Sequence, residues 1–123
     1  VSERMTAPPV PRKGVDPFDS RAWADHMRTL PAGERMGLIQ QVVDTELAPK
    51  YGWVYDPTVS ALNATPDKKR RIYRDHARGR YYSVDFTHGT LEVLTLDGTH
   101  LGEGDYNLIE DGKPLKDHNI RVP

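Results

Sequence analysis

Between Tyr81 and Leu96 large apolar residues recur at a spacing near two, in two runs separated by Thr87-His88-Gly89. Tyr, Val, Phe and Leu suit a pleated, half-buried surface, so the stretch predicts a strand, a tight turn and a returning strand. The meander continues through Thr90–Leu96, the Asp97-Gly98 turn, Thr99–Glu103, a short strand at Tyr106–Ile109, the Asp111-Gly112 turn and a last strand near Asn119–Val122. Upstream the period changes. Trp23, Met27 and Leu30 fall on one face of a helix capped by Asp19 or Ser20. Pro31 opens a second helix with Met36, Ile39, Val43 and Leu47 as its buried stripe, and Pro49 ends it near Ala48. Tyr51–Tyr55 reads as a short strand or an aromatic segment packed on the helices, and Thr58–Asp67 as a loop. Helices followed by an antiparallel sheet make an α+β fold. Residues 1–17, with Pro8, Pro9, Pro11 and Pro17, form a flexible linker; 18–66 is the helical segment and 67–123 carries the sheet.

Composition narrows this to one small domain of 123 residues. The charge balance, 17 Lys+Arg against 18 Asp+Glu, hides a local asymmetry. Lys68, Lys69, Arg70, Arg71, Arg74, Arg78 and Arg80 crowd one stretch with Asp75 as its lone acid, while acids predominate from Asp85 to Asp117. Cations that hold a phosphate backbone beside carboxylates that do chemistry is the layout of a nuclease. With no cysteine, disulfides and thiolate metal sites are excluded. No apolar run approaches the length of a membrane span.

The hairpin sets Asp85, His88 and Glu92 within eight consecutive positions. A carboxylate and an imidazole brought together by paired strands are the parts of general acid–base catalysis near neutral pH. The plainer reading is a solvated hairpin whose charges keep it soluble.

A longer pattern weighs against that reading. Asp85-Phe86-Thr87-His88-Gly89-Thr90-Leu91-Glu92, then Leu96-Asp97-Gly98-Thr99-His100-Leu101-Gly102, Asp111-Gly112-Lys113, Leu115-Lys116 and Asn119-Ile120, resembles the cytotoxic domain of the ribosome-inactivating ribonuclease colicins. The resemblance covers the last half of the chain, from the basic run near Lys68. It implies a small, highly twisted antiparallel sheet and a metal-independent endoribonuclease that needs no cofactor. It also implies a substrate, 16S ribosomal RNA at the decoding site of the 30S subunit, and a cognate, usually acidic, immunity protein. Catalysis would rest on Asp85, His88 and Glu92, with Asp85 orienting His88; which of Glu92 and His88 is the base stays open. Lys68, Lys69, Arg70 and Arg71 are expected to contact RNA, with Arg78, Arg80 and Tyr82 as weaker candidates.

The chain also departs from the family. His118 stands where the family has an essential Arg before Asn-Ile, so His118, Arg121 or the basic run must supply that charge. Val84 replaces a Trp and Thr90 an acidic residue. The helical first half is foreign to such colicins and is more like a toxin tip of a contact-dependent inhibition or Rhs-type system. Together with an opening at Val1, it leads to the expectation of a piece of a longer secreted or surface-delivered protein. This piece would act in the cytoplasm of a target bacterium, without stable membrane insertion and as a monomer apart from its immunity complex. The competing readings are a transfer-RNA-cleaving toxin, a metal-dependent nuclease built on His88, His100 and His118, and a non-catalytic RNA-binding module.

Overall fold

The structure, a computed structural model, describes Arg12 and residues 14–123. Most of the expected linker therefore lies outside the described residues. The rest of it is tied down, with Pro17 buried and Val15 packed against the core.

Helix α1 (Ser20–Thr29) starts where the Asp19 carboxylate accepts a hydrogen bond from the Ala22 N–H at 3.1 Å. It buries Trp23 and Met27, one turn apart. Helix α2 (Ala32–Val42) follows Pro31 as expected, but Pro49 does not end it. Val43–Leu47 form a π-helical turn, in which the Ala48 N–H bonds back to the Val43 carbonyl, and α3 (Ala48–Tyr51) carries Pro49 in its first turn. Proline costs a helix its bond to the carbonyl four residues back. The widened turn ends on the Ala48 N–H, so the missing Pro49 N–H falls at the junction where the helix returns to α geometry. The helix stops instead at Gly52, whose φ of 71° is left-handed. The buried stripe includes Leu38, Ile39, Val42, Val43 and Leu47, whereas Met36, expected inside, is 37% exposed.

A second correction falls on Thr58–Asp67. The expected loop begins as helix α4 (Pro57–Asn63), with Asp56 as its cap at 2.9 Å from the Val59 N–H and Pro57 in its first turn.

Six strands make one open antiparallel sheet in chain order: β1 (Val54–Tyr55), β2 (Ile72–Asp75), β3 (Arg80–Asp85), β4 (Thr90–Thr95), β5 (His100–Gly104) and β6 (Glu110–Asp111). The fold is α+β, with N-terminal helices leading into the sheet. Strand alternation divides β3 and β4 between two faces. Tyr82, Val84, Leu91 and Val93 join Trp23, Met27 and the α2 stripe in one core. Tyr81 and Leu94 turn to the opposite face, where they pack with Val59, Ile72 and Ile120. Asp85 pairs with Thr90 and Ser83 with Glu92, so Asp85 and Glu92 share that opposite face.

The two expected late strands are absent. Asp105 accepts hydrogen bonds from the N–H groups of Asn107 and Ile109 at 2.9 and 3.0 Å, folding Tyr106–Ile109 into a turn. The C-terminal segment passes through a short 3₁₀ turn (Lys116–His118) and docks without forming a strand. The Ile120 N–H donates to the Gly98 carbonyl at 2.9 Å, and Gly98, at φ 92°, has no room for a Cβ against the Ile120 carbonyl.

Candidate active site

The β3–β4 turn is built around Asp85. One carboxylate oxygen accepts from the N–H groups of Thr87 and His88 at 2.8 and 3.0 Å, and the other from Nδ1 of His88 at 2.8 Å. The turn closes at Gly89, φ 75°, where a Cβ would lie 2.7 Å from Met27 Cγ. Nε1 of Trp23 donates to the Gly89 carbonyl at 3.2 Å. Helix α1 thus presses directly on the turn that carries His88.

Because Nδ1 of His88 is engaged, Nε2 is the nitrogen left for a substrate, and the side chain is 70% exposed. The Asp85 hydrogen bond and charge push His88 above the usual imidazole range. For Asp85, burial raises the carboxyl pKa, but the hydrogen bonds from His88 and Thr87 outweigh it and hold the group below the usual carboxylate range.

Glu92 is not joined to His88 by any hydrogen bond among the described residues. Its Oε2 lies 3.0 Å from Nε2 of His100 and its Oε1 3.0 Å from Nδ1 of His118. His100 reaches this face through an irregularity in the sheet. Val93 pairs with Gly102 but Leu94 pairs with His100, so Leu101 is an extra residue in β5. Without that bulge His100 would share the helix-covered face with Gly102; with it, Leu101 packs against the core and His100 turns to Glu92. The C-terminal segment then locks the ring. The Leu115 N–H donates to Nδ1 of His100 at 3.0 Å, and the His100 N–H donates to Oδ1 of Asn119 at 2.8 Å. A ring nitrogen that accepts carries no proton, so the proton of His100 sits on Nε2 and points at the carboxylate.

Glu92, His100 and His118 offer ligand atoms within 4.8 Å of one another, the spacing of a metal site. The tautomer argues against that use. As held by Leu115, His100 presents an N–H and not a lone pair, and a cation would have to break that partly buried hydrogen bond to bind. His88 is not among the three.

Asp85, His88 and Glu92 open onto one cavity of about 450 Å³, together with Lys68, Lys69, Arg70 and His118. Arg70 is half-buried with its Nε unpartnered, and burial pushes its guanidinium down while the nearby Glu92 charge holds it up. The rest of the basic run lies elsewhere. Arg71 sits over the Tyr55 ring at 4.0 Å and pairs with Asp44 at 3.3 Å. Arg78 pairs with the fully buried Asp75 at 3.0 Å, and Arg80 donates to the Gly79 carbonyl at 3.1 Å. Tyr82 is stacked on Trp53 in the core at 4.6 Å and is not a phosphate contact. Arg121 holds Asn63 through its backbone, outside the cavity.

Two residues take places that the sequence does not announce. His100, expected only as part of the resembling motif and as a possible metal ligand, orients Glu92, and Met36, expected in the core, lines the cavity. No protein-family model and no curated protein matches the chain. Among the described residues no helix is long and apolar enough to cross a membrane.

Proposed function

We propose that this chain is a metal-independent endoribonuclease and, within that class, a ribosome-inactivating toxin domain of the colicin type. The observation that carries the reading is a single cavity with three features: an imidazole hydrogen-bonded to Asp85, a carboxylate oriented by two histidines, and the cations Lys68, Lys69 and Arg70 among its lining residues. RNA brings its own nucleophile. Glu92 takes the proton of a 2′-hydroxyl as O2′ attacks phosphorus. The P–O5′ bond breaks, and Nε2 of His88 gives its proton to the departing O5′. The products are a 2′,3′-cyclic phosphate and a 5′-hydroxyl, with atoms and charge balanced and no metal consumed. Arg70 and the lysines offset the charge that builds on the phosphorane oxygens.

Under this proposal His88 is the acid and Glu92 the base. The raised pKa of His88 suits the acid, and Glu92, with lone pairs remaining on both oxygens, suits the base. The substrate under this proposal is 16S ribosomal RNA at the decoding site, within the 30S subunit. An acidic immunity protein protects the producer, and the toxin acts in the cytoplasm of the target cell after delivery from outside.

Purified ribosomes treated with the protein, followed by primer extension, test the target. One dominant new end in the decoding region is expected, absent with Glu92→Gln. Intact ribosomal RNA beside cleaved transfer RNA would keep the chemistry and overturn the substrate.

A further inference from the structure

Met36 is the one member of the expected α2 stripe that does not enter the core: it is 37% exposed where Ile39, Val43 and Leu47 are fully buried. It lines the catalytic cavity, as does Phe86, which packs against the core, stays partly exposed and heads the turn that carries His88. The two elements are tied together. Nε of Arg35 donates to the Phe86 carbonyl at 3.2 Å, which ties the start of α2 to the catalytic turn. Lys68, Lys69 and Arg70 supply positive charge to the same cavity.

We infer that Met36 and Phe86 form a nucleobase subsite, contributed in part by the helical segment, that takes one unstacked base of the RNA beside the scissile phosphate. This rests on the ribonuclease reading. A base splayed from single-stranded or looped RNA needs an apolar, polarisable surface, and aromatic rings supply one to any base. Methionine adds a flexible thioether that adapts to bases of different shape. The cations that line the same cavity hold the phosphate, and the two apolar side chains receive its base. The helices are then more than a support for the sheet: they supply a side chain to the site.

The test is a binding measurement with a substrate that cannot be cut, so it does not depend on turnover. A short 2′-O-methyl oligonucleotide is compared with the same backbone made abasic throughout, at one fixed salt concentration. Wild-type protein is expected to favour the base-carrying strand by about fivefold or more, the lower end of base stacking on a side chain. Met36→Ala is expected to lose most of that preference while binding the abasic strand as wild type does. Phe86→Leu, which keeps an apolar side chain in the turn, should reduce the preference too. Equal binding of both strands by the wild type, or an undiminished preference in Met36→Ala, overturns the subsite. Cleavage of unmodified RNA by the same preparations reports separately on the ribonuclease reading: a cleaving wild type without base preference sinks the subsite alone.

Discussion

Nε2 of His100 meets Oε2 of Glu92 at 3.0 Å, from a strand position that only a one-residue bulge turns toward the carboxylate. The Leu115 N–H on the far side of the ring fixes which nitrogen carries the proton. His100→Ala should therefore act twice. It removes the acceptor of the Leu115 N–H, a partly buried hydrogen bond worth about 1 kcal/mol of stability, and it frees Glu92 to rotate. Thermal melts should show the first effect and a lowered kcat the second. His100→Gln, which can still donate to Glu92, should recover part of the kcat. Equal loss in both variants would make the role of His100 purely structural.

The pairing of Asp85 with His88 sets a pH signature. The acid role needs His88 protonated, and its pKa is raised by Asp85, so activity should persist above the ordinary imidazole range and fall as pH rises through the raised value. Asp85→Asn removes that support and should move the alkaline limb to lower pH, with a loss of about one to three decades in kcat at neutral pH. For folding, Asp85 is held below its ordinary range. Its contribution is present above the unfolded-state pKa and lost as pH falls through the folded value. A pH–rate profile whose alkaline limb is unmoved in Asp85→Asn would contradict the assignment.

The basic run should divide in two. Replacing Lys68, Lys69 and Arg70 with Ala should weaken RNA binding and flatten its salt dependence, because fewer counterions are released. Arg71→Ala and Arg78→Ala break pairs with Asp44 and with the buried Asp75. They should lower the melting temperature and leave the salt slope unchanged. Equal slopes across both sets would place the RNA on another surface.

Nδ1 of His118 reaches Oε1 of Glu92 at 3.0 Å. His118→Arg should keep activity, since a guanidinium donates to the same carboxylate, whereas His118→Ala should reduce kcat by about tenfold or more. Cleavage rates of the two variants at one pH decide the point, and full activity in His118→Ala would remove it from the site.

What the sequence made legible was local. Strand alternation and the turn residues placed Asp85, His88 and Glu92 on one hairpin, and Trp23 and Met27 at helical spacing were buried as expected. Non-local features were not legible. Pro49 reads as a stop unless a π-helical turn precedes it, and no residue pattern announces that turn. Asp56-Pro57 did carry the cap and first-turn signals of α4, but the proline-bounded stretch that follows obscured them. The bulge at Leu101 changes the face of His100 through register alone, which one strand cannot reveal. Arg71 and Arg78 look like their neighbours in the run until Asp44 and Asp75 are seen to claim them.

The central claim is that this site cleaves RNA by attack of its own 2′-hydroxyl. It is tested most directly on a short decoding-site RNA hairpin in excess EDTA, with the products resolved by their end groups. Wild-type protein should leave a 2′,3′-cyclic phosphate and a 5′-hydroxyl, and a single 2′-deoxy substitution at the cut should abolish the reaction. Cleavage of the deoxy-substituted strand, or activity that disappears with the chelator, would contradict the account.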